Sequence, residues 1–489
     1  MNIRYLLFSF ILIFIINNLC IKEKYVSNPE MIDLYNKTIV RIRTQKKAFN
    51  WIEPYINNSS FESIGTGFFI DLEGYIITNY HVINNSLKIY IQIPIYGNKT
   101  FDTKLISVYP KLDLALLQIQ NFKNENKLEL GKSNLLKRGE EVLAVGYPLG
   151  QTKIKMTSGI VSGFQNGDIQ TDSAINRGNS GGPLIKNNKV IGINYSGYDE
   201  AQNVSYAIPV DYFKIVENEM RNNEFIDFPI LACTFNNTNE VIMKRRKLCK
   251  EGYYISNILS NGTMDLAGVK KGDILCAFDG IPIDNYGELY LKSLDIKFHI
   301  NDYLKYKKVG DEIDIIIIRD KVNKRLKKKI RLLSNNFYQI RYRYPKYENI
   351  DYLIIGGMVI MELANNHFGE EKIEKTTIIK KYDKIEQKTE KKLIITKILK
   401  GSKLSEYNIF TAPNILKEVN HSPVYDMDTL YNAIKNVEKD NGDMYMSFLT
   451  ENDKFYVSEL KKIKQEELFL SKELNYEIKP LIKKILNII

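Results

Sequence analysis

Three short runs in the first half of the chain constrain its fold more than any other feature of the sequence. Ile64 to Ile70 and Tyr75 to Thr78 read as β-strands joined by the turn Asp71-Leu-Glu-Gly74, and they deliver His81 just past a strand end. Asp113 opens the apolar strand Leu112 to Ile119, after a turn at Pro110. Ser180 lies in Asp172-Ser-Ala-Ile-Asn-Arg-Gly-Asn-Ser-Gly-Gly-Pro-Leu184, a turn built from residues that tolerate positive φ. A hydroxyl is a poor nucleophile at neutral pH and needs a base within hydrogen-bond reach, itself held by a third group. His81 fits the base, Asp113 its orienter and Ser180 the nucleophile. The glycine-flanked turn lets the N–H groups of Gly178 and Ser180, with Asn179 between them, frame an oxyanion hole. The order His, Asp, Ser is that of the chymotrypsin-type triad, so the sequence predicts a serine endopeptidase.

Residues from about 30 to 215 resemble the HtrA/Deg family of trypsin-fold serine proteases. The resemblance is carried by Gly65-Thr-Gly-Phe68, Thr78-Asn-Tyr-His81, Asp113-Leu-Ala-Leu-Leu117, Ala144-Val-Gly-Tyr-Pro-Leu-Gly150, Thr157-Ser-Gly-Ile-Val161 and the Ser180 run. It implies a double six-stranded β-barrel over 28–221, with the roles already given to His81, Asp113 and Ser180. It also places Ala174 at the base of the substrate pocket, walled by the strand carrying Ile193 and Asn194. Ala174 offers no carboxylate to Lys or Arg, so small or medium aliphatic residues are expected before the scissile bond. Gly163 to Ile169 is very short where the family often carries a longer regulatory loop, which argues against activation through it.

A chain of 489 residues is too long for one core. Its net charge of +11 is dispersed except at Lys244 to Lys250 and Lys324 to Arg331, which read as solvated faces. No basic stripe with interleaved aromatics occurs, so nucleic acid is not an expected partner. Cys20, Cys233, Cys249 and Cys276 leave 21–232 without cysteine, so the protease domain holds no internal disulfide. No metal or cofactor is expected, since the cysteines and histidines form no ligand-spaced cluster. Residues 1–22 carry Arg4 and an apolar run from Tyr5 to Ile16. They read as a secretory signal peptide, with a signal anchor as the rival because Asn17 to Cys20 is a poor cleavage site. Entry into the secretory pathway is the expectation, and a membrane contact only if that segment is retained.

Asp211 to Arg221 reads as an amphipathic helix closing the protease domain. Beyond it an internal repeat appears: Asp273 to Ile283 echoes Asn414 to Val424, each a strand, turn and strand with a short helix after it, at Tyr286 to Leu294 and Asp426 to Ile434. Two α+β modules are predicted, at 226–336 and 345–464, before a C-terminal helix over 465–489. The first resembles a PDZ domain through Ala267 to Leu275 and Asp279 to Pro282. Its peptide-carboxylate loop would involve Phe228, Ile230 and Leu231, though Pro229 removes a donor there. The second is a degenerate copy, interrupted by the charged insertion Glu370 to Lys392. Protease, PDZ and degenerate PDZ is an arrangement similar to a plant-type branch of the Deg proteases.

The resemblance implies an endopeptidase acting on unfolded or misfolded proteins, assembled as trimers or multiples of trimers. Phe49, Trp51 and Tyr55 are candidates for those contacts, and activity should depend weakly on the PDZ modules. A catalytically weak chaperone or scaffold, and a processing protease with one partner, are the competing readings.

Overall fold

The computed structural model describes residues 29–197, 203–246, 249–319, 324–370 and 376–488. The leader expected over 1–22 lies outside the described residues, and among these no helix is long and apolar enough to cross a membrane. Helix α1 (Pro29–Thr38) leads into β1 (Ile39–Lys46), β2 (Phe61–Phe69), β3 (Tyr75–Asn79), β4 (Ser86–Gln92), β5 (Thr100–Tyr109) and β6 (Leu114–Ile119). These strands close a barrel in the order β1-β2-β3-β6-β5-β4. Period-two burial drives the closure: Val40, Ile42, Thr44 and Lys46 of β1 all turn inward. A second barrel follows from β7 (Glu129–Leu130), β8 (Glu141–Gly146), β9 (Lys155–Gln165), β10 (Asp168–Thr171), β11 (Pro183–Lys186), β12 (Lys189–Gly197) and β13 (Ser205–Pro209). It closes because β11 pairs with both β8 and β12. Helix α2 (Val210–Asn222) falls where expected and buries Tyr212, Phe213, Val216 and Met220 on one face.

The first module runs through β14 (Pro229–Ile230), β15 (Cys233–Asn236), helix α3 (Glu240–Arg246), β16 (Tyr253–Ile258), β17 (Ile274–Phe278) and β18 (Ile281–Pro282). It continues through β19 (Glu288–Leu291), β20 (Ile296–His299), β21 (Glu312–Arg319), β22 (Lys324–Arg331) and β23 (Leu333–Ser334). Its main sheet has the order β15-β16-β17-β21-β22. The helix expected over Tyr286 to Leu294 is instead the β19–β20 hairpin. Buried Leu289 alternates there with exposed Tyr290, and Gly287 takes φ +83, so a period of two overrides the helical reading. Cys249 and Cys276 form a disulfide that the sequence did not reveal, while Cys233 is a buried free thiol. One continuous apolar core joins Tyr109, Tyr212 and Phe213 of the two-barrel unit to Phe228, Tyr253 and Leu332 of this module.

The second module repeats the plan with β24 (Tyr352–Ile355), β25 (Met358–Glu362), β26 (Leu393–Ile398), β27 (Asn414–Val419), β28 (Ser422–Pro423), β29 (Glu438–Asp440), β30 (Asp443–Thr450) and β31 (Phe455–Glu459). Helix α4 (Met427–Lys435) starts on the Asp426–Thr429 capping box, as the repeat predicted. The C-terminal helix begins earlier than Gln465 and breaks in two. Helix α5 (Leu460–Leu474) ends at left-handed Asn475, and α6 (Pro480–Ile485) follows. Ile463, Leu470 and Ile482 belong to this module's core, so the boundary expected at 464 falls inside α5.

Phe49, Trp51 and Tyr55, expected at an oligomer contact, are used within the chain. The loop between β1 and β2 lays Trp51 onto the second module, with ring centroids 5.3 Å from His367, and Thr396 donates to the Ile52 carbonyl at 2.7 Å. Tyr55 packs beside Tyr476.

Candidate active site

Pairing of β3 with β6 sets Asn79 opposite Leu114, which brings the two strand ends carrying His81 and Asp113 side by side. Asp113 takes the left-handed conformation, φ 53, between the Pro110–Leu112 turn and β6. Both of its carboxylate oxygens serve His81: one accepts from the backbone N–H at 2.8 Å, the other lies 2.7 Å from Nδ1. That contact places the proton on Nδ1 of a neutral ring and leaves Nε2 as the acceptor.

The Ser180 turn is fixed by its neighbours. Asn179 N–H donates to Asn176 O at 2.9 Å, with Gly178 at φ +98 in the third position, as a type II turn requires. A Cβ at Gly178 would stand 2.2 Å from the Tyr147 carbonyl oxygen, so the position admits glycine alone. The Arg177 carbonyl accepts from Leu149 N–H at 2.6 Å. Because a trans peptide opposes its C=O and N–H, the Gly178 N–H points the other way. Asn179 spends its own amide on the turn, which leaves the Gly178 and Ser180 amides as the oxyanion donors the site can offer. Thr66 clamps the turn twice, its N–H donating to Ser180 O at 2.8 Å and its hydroxyl to Gly178 O at 2.6 Å. The Ser180 hydroxyl donates to the Tyr195 carbonyl at 3.1 Å, and no hydrogen bond to His81 is formed among the described residues.

Of the expected pocket residues, Ala174 is exposed and its carbonyl accepts from Thr157 at 2.9 Å. Ile193 and Asn194 are fully buried. Ile193 belongs to the core, and Asn194 braces the nucleophile turn, accepting from Gly181 N–H and donating through its side chain to Pro183 O. The inward phase of β12 hides both side chains, so they do not line a pocket.

Lys46 is the residue that sequence reasoning missed. It is 6% exposed, and its ammonium donates to the His81 carbonyl at 2.6 Å and to Asn84 at 3.0 Å. Burial pulls its pKa down to about 8, against the attraction of Asp113. Its place in the inward alternation of β1 was the available signal.

The Gly163–Ile169 turn, although short, reaches the first module. Lys305 donates to Asn166 O at 2.5 Å and to Asp168 at 3.2 Å, and Tyr195 donates to the other oxygen of Asp168 at 3.1 Å. Burial pushes the Asp168 carboxyl up, opposed by Lys305. A side-chain path thus runs from the first module to Tyr195, whose carbonyl holds Ser180. The expected carboxylate loop is differently used. Phe228 and Leu231 are buried in the shared core, and Ile230 pairs with Leu333 in the β14–β23 ladder. Phe228 and Leu231 tie the module down through the core, and half-buried Ile230 packs against it. Strand β15 remains at the edge of its sheet. In the second module the equivalent strand, β25, is covered by β24 through a two-residue turn with Gly356 and Gly357 at φ 55 and 74. Tyr431 of α4 secures the start of β24 by donating to Asp351 at 2.6 Å.

Residues 65–193 match the model of the trypsin-like peptidase domain, and residues 343–477 match the model of the PDZ domain. The PDZ match falls on the module that reads as degenerate. The periplasmic serine endoprotease DegP of Escherichia coli strain K12 is 34% identical over 244 residues, covering 47% of this chain and 51% of that protein. The putative mitochondrial protease Do-like 3 of Arabidopsis thaliana is 27% identical over 438 residues, covering 85% of this chain and 74% of that one. The chain thus spans about half the length of the first of these relatives, 51%. A solved structure of an HtrA-type protease with a decapeptide aligns over 63% of this chain and 98% of its own, at 22% identity and a TM-score of 0.51, a likeness of fold.

Proposed function

We propose that this chain, with a trypsin-like peptidase domain match ahead of a PDZ-domain match, is an HtrA/DegP-like serine endopeptidase of protein quality control in a plant-type Deg arrangement. The observation that carries this reading is the two-oxygen grip of Asp113 on His81 beside a glycine-fixed serine turn. His81 Nε2 takes the proton as Ser180 Oγ attacks the scissile carbonyl, and Asp113 stabilises the imidazolium that forms. The amides of Gly178 and Ser180 receive the charge that develops on the substrate oxygen. Ser180 must leave the Tyr195 carbonyl to do so, a rearrangement common between free and substrate-bound sites. The proposed substrates are extended segments of unfolded proteins, in an exported or organellar compartment like those named for the relatives. Small or medium aliphatic residues are proposed before the cut, with trimers as the working unit. Incubation of denatured casein with wild type and with Ser180→Ala tests the reading: cleavage by wild type alone supports it, and equal cleavage by both removes Ser180 from the chemistry.

A further inference from the structure

Described residues from the two basic runs of the sequence, separate along the chain, meet on one face of the first module. Strand β22 is an edge strand, paired in register with β21 so that Arg325, Lys327, Lys329 and Arg331 stand opposite Ile318, Ile316, Asp314 and Glu312. Directly opposed residues share a face of a sheet. Ile318 on that face packs with Met243 of helix α3, with Ile274 and Cys276, and with Cys249 beside them. Met243 and the Cys249–Cys276 disulfide therefore bring Lys244 and Lys250 toward the same face as the β22 cations.

The pairing of these cations is weak. Lys244–Glu240, Lys327–Asp314 and Lys329–Glu312 are ion pairs between exposed side chains, and pairs of that kind yield readily to a competing anion. Arg325, Arg331 and Lys250 make no ion pair among the described residues. Beside them α3 turns two aliphatic side chains to solvent, Val241 at 64% and Ile242 at 37% exposure, although Met243 next to them is buried. Cations around a small exposed aliphatic pair match a bilayer surface, where headgroup phosphates and the first methylenes lie together. A nucleic acid or an acidic polypeptide would meet the cations but has no use for Val241 and Ile242.

We propose that this face docks the protein on an anionic phospholipid surface, with Val241 and Ile242 entering the headgroup layer and Lys244, Lys250, Arg325 and Lys327 ringing them. The reading is independent of the peptidase assignment. The test is co-sedimentation of the full chain with vesicles of phosphatidylcholine alone or of phosphatidylcholine with phosphatidylserine. The ratio of the two partition coefficients is the readout, because any contribution of the N-terminal apolar segment enters both. The ratio is expected well above one and falling with salt. The double variant R325E/K327E should lower it by at least roughly fivefold per cation removed. V241S/I242S should lower partition onto anionic vesicles while leaving its salt dependence in place. All four side chains are at the surface, and unchanged thermal melts confirm that the variants fold. A ratio of one, or a ratio indifferent to R325E/K327E, overturns the proposal. So does binding that soluble polyglutamate abolishes and V241S/I242S does not weaken, which would assign the face to an acidic polypeptide.

Discussion

Single residues carry the proposed chemistry of this chain, and the least expected residue beside them is Lys46. It holds the His81 carbonyl from inside the first barrel, so Lys46→Met should leave that carbonyl and the Asn84 side chain without their partner. A buried group stripped of its hydrogen bond costs about 1–3 kcal/mol. Urea unfolding of the variant should show that loss, and kcat/KM should fall with it through a displaced His81; an unchanged midpoint would mean that water replaces the ammonium freely. Gly178→Ala meets both a positive φ and the Tyr147 carbonyl. Loss of one oxyanion donor costs about 10²–10³ in kcat, which is the expected fall. Full activity in Gly178→Ala would show that this amide is not a donor. His81, Asp113 and Ser180 were legible because strand ends and a glycine turn announce them. Lys46 was not, because the sequence marks a buried lysine only by the phase of its strand. Ile193 and Asn194 failed for the same cause: whether a strand residue faces a cleft or a core depends on a barrel that the local sequence does not display.

Among the elements, the second module holds two buried groups whose pKa values burial moves so that their effects on stability run in opposite directions with pH. Glu467 of α5 accepts from Tyr476 at 2.9 Å, and burial pushes its pKa up to about 8 from 4.5. Its contribution is complete below pH 4.5 and is lost as pH rises through 8. His367, fully buried under Trp51, is pulled down to about 4 from 6.5 by desolvation, so its contribution holds above pH 6.5 and is lost on acidification toward 4. Between 4.5 and 6.5 the two slopes, each about 1.4 kcal/mol per pH unit, offset one another. From 6.5 to 8 the loss at Glu467 is no longer offset by His367, and the module should weaken with rising pH at about that slope. Trp51 is the chain's one tryptophan and reports the transition directly. Urea melts followed by its fluorescence should show the decline, and Glu467→Gln should remove it; identical profiles for the two proteins would exclude Glu467 as the cause. The repeat of β17–β18 in β27–β28, and helix α4, were legible because turn residues and a capping box recur. The β19–β20 hairpin was not, since its strands are too short for their alternation to outweigh a helical pattern.

At the scale of the whole molecule the modules are packed into the protease domain. The core is continuous from Tyr109 to Leu332, and Val108 exchanges backbone hydrogen bonds with Glu224 and Ile226 at 3.0 and 2.9 Å. A truncation after residue 222, which removes the modules on which the sequence suggested activity depends only weakly, cuts through both. The fragment should be unstable or aggregate, and a cooperative melt at the full-length temperature would refute this. Trp51→Ala should cost about 3–5 kcal/mol, the usual price of an emptied aromatic site, because the side chain is 9% exposed in an apolar cluster with Ile340 and with Met361 and Leu363 of the second module. None of these long-range contacts is written in any local segment, so the sequence yielded the parts and their order but not their union. The central claim remains that Ser180, His81 and Asp113 form a working triad. A fluorophosphonate probe, read by mass spectrometry on wild type and Asp113→Asn, tests it most directly. The account predicts labelling on Ser180 of the wild type, slowed by roughly 10⁴-fold in Asp113→Asn. Labelling elsewhere, or at an equal rate in both proteins, would contradict it.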